Sequence, residues 1–280
     1  MSNIRIVTDS SADLPQPVAD ALDITVVPLY IHFGEDTYRE GVDITHEEFY
    51  RRMEAEAPNL PKTSAPSPAD FMKVYQEILD EGDDIISIHV SAAFSTTYNN
   101  ARLAAQELAP DRITVIDSRN VSMCLGWVCI AAAEAAMRGD DRDEIVEIIL
   151  DMLPRLRIPS FLETLEYVRY GGRIGSAEAF LGTVLDVKPI LAIEDGKVVP
   201  LEKVRTRGRA LERLAAMARE LAPFEDIAVM HTHAPEMAEK LADMLADVHP
   251  RQNILIAQTG VAMGGHVGPG AVGICAVVAK

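Results

Sequence analysis

Cationic residues are scarce in this sequence: 26 Lys and Arg stand against 43 Asp and Glu, a formal net charge of -17 over 280 residues. So acidic a chain repels nucleic-acid phosphates and anionic membranes, which excludes both as general partners; an anionic ligand must be held by a local exception. Cysteine is scarce too. Cys124, Cys129 and Cys275 make an odd count without CxxC spacing, which fits neither a disulfide framework nor a zinc site, and they read as small buried apolar residues. No basic start with an apolar h-region precedes Ile4-Arg5-Ile6-Val7, so a cytoplasmic location is expected. The common nucleotide and hydrolase signatures are missing as well: there is no GxxxxGK[ST] loop, no GxGxxG opening a helix and no GxSxG elbow.

Residues 254–279 carry no charge and are long enough to span a bilayer, but glycines, Pro269 and His266 interrupt them. Two strands joined by a glycine-rich loop are expected there, not a membrane helix.

What is present is an alternation of short Val/Ile runs with Ala/Leu-rich helical patterns, the mark of a parallel sheet covered by helices. Strands are expected at residues 4–8, 24–33, 85–90 and 113–116, and helices at 12–22, 46–55, 68–80, 97–108, 121–138 and 141–153. Beyond Pro154 and Pro159 the style changes. A hairpin turns at Asp195-Gly196, followed by a helix at 207–221, a strand at 227–230, a helix at 235–245 and the two terminal strands. The expectation is a two-domain α/β protein: 1–156 with a mostly parallel sheet flanked by helices, and 157–280 with a mixed sheet.

Five polar segments follow strands, where open α/β sheets place ligand crevices: Thr8-Asp9-Ser10-Ser11-Ala12-Asp13-Leu14-Pro15, Thr63-Ser64-Ala65-Pro66-Ser67-Pro68, Ser91 to Tyr98, Asp117-Ser118-Arg119, and 260–270. Each hydroxyl or carboxylate is also an ordinary helix cap, and a capped helix start is also a seat for an anion. In Gly264-Gly265-His266-Val267-Gly268-Pro269-Gly270 the glycines let backbone approach a ligand and can supply a nest of N–H groups around the imidazole. His231-Thr232-His233, with Asp9 and Asp117, admits an alternative: a metal-assisted phosphotransferase or hydrolase. Arg169-Tyr170-Gly171-Gly172-Arg173 reads as an anion clamp or as a glycine-stopped helix end. Lys203, Arg205, Arg207 and Arg209 form a basic cluster, by default solvated.

Taken in order, Val7-Thr8-Asp9-Ser10-Ser11-Ala12-Asp13-Leu14, Thr63-Ser64-Ala65-Pro66-Ser67, Phe94-Ser95-Thr96-Thr97-Tyr98, Val115-Ile116-Asp117-Ser118, Gly171-Gly172-Arg173-Ile174 and His266-Val267-Gly268-Pro269-Gly270 resemble the DegV family of fatty-acid-binding proteins, across nearly the whole chain. The resemblance implies a two-domain fold with an acyl pocket between the domains and a long-chain, palmitate-like fatty acid as ligand. It implies no metal and no cofactor. It also implies carboxylate contacts from Thr63, Ser64, Ser95 and His266, support from Arg173, and docking of a separate fatty acid kinase at Arg205, the chain presenting its ligand without catalysing. Thr96 departs from the glycine common in the family, and its β-branch restricts the backbone there.

Overall fold

The computed structural model describes residues 3–180 and 187–280. They form two compact units, one of residues 1–44 and 63–154, the other of 45–62 and 155–280.

The first unit opens with β1 (Ile4–Asp9), a short α1 (Gln16–Ala21), β2 (Thr25–Val27), and the hairpin β3 (Tyr30–Phe33) and β4 (Asp36–Arg39). After α2 (His46–Ala55), whose residues group with the second unit, and β5 (Lys62–Ser64) come α3 (Pro68–Asp80), β6 (Asp84–His89), α4 (Thr97–Leu108), β7 (Ile113–Asp117), α5 (Met123–Arg138) and α6 (Arg142–Met152). Strands β2-β1-β6-β7 form one sheet, parallel throughout. Helix α3 presents Phe71, Tyr75 and Ile78 to it, and α4 presents Ala101, Ala104 and Ala105, all buried against Val7, Ile85 and Ile113. Fully burying a side chain the size of Phe71 or Ile85 stabilises by about 1.5–3 kcal/mol. Helix starts are set locally: Ser67 and Asp70 close a capping box over Pro68, as Asp141 and Glu144 do for α6.

The second unit adds β8 (Leu156–Arg157), β9 (Ser160–Phe161), α7 (Glu166–Tyr170), β10 (Lys188–Glu194), β11 (Lys197–Val204), α8 (Arg207–Leu221), β12 (Phe224–His231), α9 (Pro235–Met244), β13 (Leu255–Gln258), α10 (Val261–Val267) and β14 (Val272–Val278). Its sheet runs β11-β10-β9-β14-β12-β13, with β8 also on β14. It is mixed: β12 and β13 are parallel, and the other pairs are antiparallel. The α8 face of Ala210, Leu211, Leu214, Ala215 and Ala218 and the α9 face of Ala238, Leu241 and Ala242 cover it.

The expected mixed α/β architecture is present, with local differences. The run 24–33 is two strands, because Pro28 lacks the N–H a continuous ladder needs. The helix expected from residue 12 starts at Gln16; before it, Ser10–Ala12 is a 3-10 turn ended by Asp13 in a left-handed conformation. The loop expected between the terminal strands holds α10. Residues 45–62, assigned to the first domain by a division at residue 156, pack with the second unit. The reason is side-chain contact: Tyr50 stacks on His233 with ring centroids 5.0 Å apart, and Phe49 and Tyr50 lie against Gly265 and Gly264 of α10. No helix among the described residues is long and apolar enough to cross a membrane.

Candidate functional site

In the first unit, Thr63 and Ser64 lie on β5, which pairs with β3 in a three-stranded sheet ordered β4-β3-β5. Ser64 is exposed and Thr63 half-buried. His32 on β3 fixes Ser64, its Nε2 lying 2.8 Å from Ser64 Oγ while its Nδ1 lies 2.9 Å from Thr37 Oγ1. Half-buried Ser95 sits at the start of α4, where its Oγ lies 2.7 Å from Thr97 Oγ1 and accepts from Thr97 N–H at 3.2 Å. The segment after β5 and the start of α4 are joined directly, since Asn100 Nδ2 donates to Pro66 O at 2.7 Å. The β-branched Thr96 takes φ -77° and ψ 0°, a backbone open to any L residue, so the departure from glycine leaves Ser95 at the helix start.

In the second unit, α10 carries His266 in its last turn. The glycines around it admit the protein's own side chains. Gly264 faces the Tyr50 hydroxyl, Gly265 the Phe49 ring, Gly268 the Tyr167 ring and Gly270 the Glu163 side chain. Thr232 clamps the turn that follows: its hydroxyl donates to Gly268 O at 2.6 Å and accepts from Ala271 N–H at 2.9 Å, while its carbonyl accepts from Gly270 N–H at 2.6 Å. The His266 ring lies against Gly171. Burial, and then the positive charge of Arg173, push its pKa down to about 4, so the imidazole is neutral near pH 7. Helix α7 ends at Gly171 and Gly172, the glycine stop that the sequence suggests, and exposed Arg173 donates from Nη1 to Gly171 O at 2.6 Å.

Asp9 is fully buried. Its oxygens accept from Ser11 N–H, the Ser11 hydroxyl, His89 Nδ1–H and Val90 N–H. Asp117 accepts backbone N–H groups of Ala92 at 3.3 Å and Arg119 at 2.8 Å. Both therefore hold loops. His231 and His233 lie in the second unit, where His46 joins them. Burial lowers the His231 pKa and proximity to His46 and His233 lowers it further; burial likewise lowers that of His46, against the pull of its hydrogen bond to the Thr259 backbone. Among the described residues no three His, Cys, Asp or Glu side chains are grouped to hold a metal ion.

Arg205 is exposed between β11 and α8. Its cationic neighbours are engaged: Lys203 lies over the Phe180 ring at 4.3 Å, Arg207 pairs with Glu163 at 2.5 Å and Arg209 with Glu212 at 3.0 Å. Lys188 also reaches Glu163, at 2.8 Å. Glu163 and Thr232 were invisible as site-building residues, because their partners lie 25 or more positions away in the chain.

A family model described as "Uncharacterised protein, DegV family" matches residues 3–279. The chain belongs to the DegV family. A DegV domain-containing protein of Streptomyces coelicolor is 38% identical over 276 residues, 97% of each chain. A DegV family protein from Thermus thermophilus, described as binding fatty acid, superposes with a TM-score of 0.92 at 33% identity, covering 99% of this chain and 100% of its own. A fatty-acid-binding DegV family protein from Streptococcus agalactiae gives a TM-score of 0.91 at 30% identity, each chain covered in full. The order of DegV markers along the sequence thus corresponds to a fold shared from end to end.

Proposed function

We propose that this chain binds a long-chain fatty acid of the palmitate type in a buried apolar pocket. The hydroxyls of Thr63, Ser64 and Ser95, the His266 imidazole and the Arg173 guanidinium hold its carboxylate. The observation that carries this reading is the end-to-end likeness to the Thermus thermophilus protein described as binding fatty acid. The local chemistry supports it. A chain of net charge -17 needs concentrated donors to receive an anion, and hydroxyls with one imidazole next to an arginine supply them. The acyl chain supplies the affinity: each buried methylene contributes about 0.8 kcal/mol, so about sixteen carbons bind tightly with few polar contacts.

The finer reading is that the bound acid is presented to a separate fatty acid kinase that docks at Arg205. Supporting it, Arg205 is exposed and extends from a turn whose other cations are already engaged, and the sequence has no phosphate-binding loop of its own.

Protein purified under mild conditions is expected to carry a fatty acid identifiable by mass spectrometry, and delipidated protein to bind added palmitate. Absence of both removes the reading. Ser95→Ala is expected to weaken palmitate binding about ten-fold through loss of one hydrogen bond to a charged group. With a cognate kinase and ATP, Arg205→Ala should slow acyl phosphate formation and leave palmitate affinity unchanged; equal rates for both proteins argue against docking there.

A further inference from the structure

The backbone around His266 is fixed on both sides by the protein's own side chains. Tyr50 fills the space at Gly264, Tyr167 that at Gly268, and the Thr232 hydroxyl holds the Gly268 carbonyl at 2.6 Å. What remains to be set is the direction of the ring. A Cβ built on Gly171 would fall onto Nδ1 of that ring, with Cε1 next and Cγ at 3.4 Å, so the Nδ1–Cε1 edge lies against the Gly171 backbone. Gly171 has φ -69° and ψ -9°, a conformation any L residue adopts. Glycine is therefore required here for space and not for backbone freedom, in contrast to Gly172 beside it, whose φ is +71°. The same Gly171 peptide also accepts Arg173 Nη1–H, which keeps the guanidinium close to the ring.

We infer that Gly171 is a positioning residue for His266: the missing side chain seats the imidazole with its Nδ1–Cε1 edge on the backbone, and that seat sets how the ring meets an acid head group. The head-group part rests on the fatty-acid reading; the seating of the ring does not. Adding one methyl at Gly171 must turn the ring out of its seat or push α10 away, since Nδ1 and Cε1 belong to a rigid ring and not to the end of a flexible chain.

The test uses the full-length chain with nitrogen-15-labelled histidine. In the wild type, His266 is expected to titrate near its depressed value of about 4, and palmitate should perturb its ring nitrogens. In Gly171→Ala the titration should move toward the ordinary 6.5 as the ring gains water and leaves Arg173. Palmitate affinity should fall about ten-fold, and Gly171→Ala combined with His266→Ala should bind no worse than His266→Ala alone. Gly208→Ala adds the same methyl where nothing lies within 4 Å, and it should leave both readouts at wild-type values. An unmoved His266 titration in folded Gly171→Ala overturns the seating. A moved titration with palmitate affinity unchanged in both Gly171→Ala and His266→Ala overturns the head-group role and leaves the seating standing. Should Gly171→Ala not fold, the wild-type spectrum decides: a His266 titration at the ordinary 6.5 overturns the seating, and no palmitate response at either ring nitrogen overturns the head-group role.

Discussion

Asp9→Asn is the most informative single change in the first unit, because it alters one atom at the end of a wholly buried polar chain. Tyr75 O–H donates to Ser87 Oγ at 2.8 Å, Ser87 lies 2.7 Å from His89 Nε2, and His89 Nδ1 lies 2.9 Å from Asp9 Oδ2. All four residues are fully buried. A carboxylate only accepts, so Nδ1 carries the hydrogen and Ser87 donates to Nε2. Every donor in the chain then has an acceptor. An asparagine keeps one oxygen and turns the other into a donor. If its amide nitrogen faces Ser11, the hydroxyl can rotate to accept, but the Ser11 backbone N–H loses its partner. If it faces His89 and Val90, the Val90 N–H is stranded and the histidine must change tautomer. The cheaper arrangement still leaves one buried N–H unsatisfied, at about 1–3 kcal/mol, and gives up hydrogen bonds to a charged group, so a loss of about 3 kcal/mol is expected. Trp127 is the only tryptophan and lies on α5 in the same unit, so urea unfolding followed by its fluorescence reports this unit directly. Asp117→Asn is the control. Asp117 is half-buried, water can replace its oxygen, and its cost should stay below about 1 kcal/mol. Stability of Asp9→Asn within about 0.5 kcal/mol of the wild type would refute the argument that this chain of hydrogen bonds holds the loop after β1.

Three further outcomes are expected. The imidazoles of His266, His46 and His231 all have folded pKa values below the ordinary 6.5, so the unfolded chain binds more protons below that pH: stability is full above about 6.5 and falls with pH toward about 4, where His266 protonates in the folded chain too. For His266 the loss is at most about 3 kcal/mol, and His266→Gln should show a correspondingly flatter stability curve against the wild type between those pH values. Gly268→Ala should destabilise the second unit by about 2 kcal/mol or more, because Gly268 has φ +77° and its missing Cβ is where the Tyr167 ring lies; wild-type thermal unfolding of this variant would contradict that. Glu163→Gln weakens the pairs with Lys188 and Arg207 and should cost about 1 kcal/mol at low salt and less at high salt, measurable as a salt-dependent difference in urea midpoint.

Much of the fold was legible because its signals are local. Helices α2, α3, α4 and α8 occupy the expected residues 46–55, 68–80, 97–108 and 207–221. Thr45, Ser67 and Thr206 each accept a backbone N–H three residues ahead, so these starts are written within one turn of chain. The hairpin around Asp195-Gly196 is equally local: both residues take positive φ, the geometry a two-residue turn needs to match strand twist. Strand β4 escaped notice because Asp36–Arg39 is polar and mostly exposed, so it lacks the apolar alternation that marks a half-buried strand.

What was not legible concerns the glycines, and the physical reason is that a glycine records a need for space or for an unusual φ without naming what fills the space. The segment from Gly264 to Gly270 therefore does not announce the side chains it accommodates, which are Tyr50, Phe49, Tyr167 and Glu163 of the same unit. Two of these come from α2, more than 200 residues earlier in the chain, which is also why 45–62 groups with 155–280. Gly171 differs from its neighbours in this respect. Its φ is ordinary and its occupant is the imidazole of a proposed site residue. The same absence of a Cβ that serves packing at Gly264 and Gly268 thus bears on the orientation of the His266 ring at Gly171. A methyl added at Gly268 should register mainly in stability, whereas one added at Gly171 should register in the His266 titration.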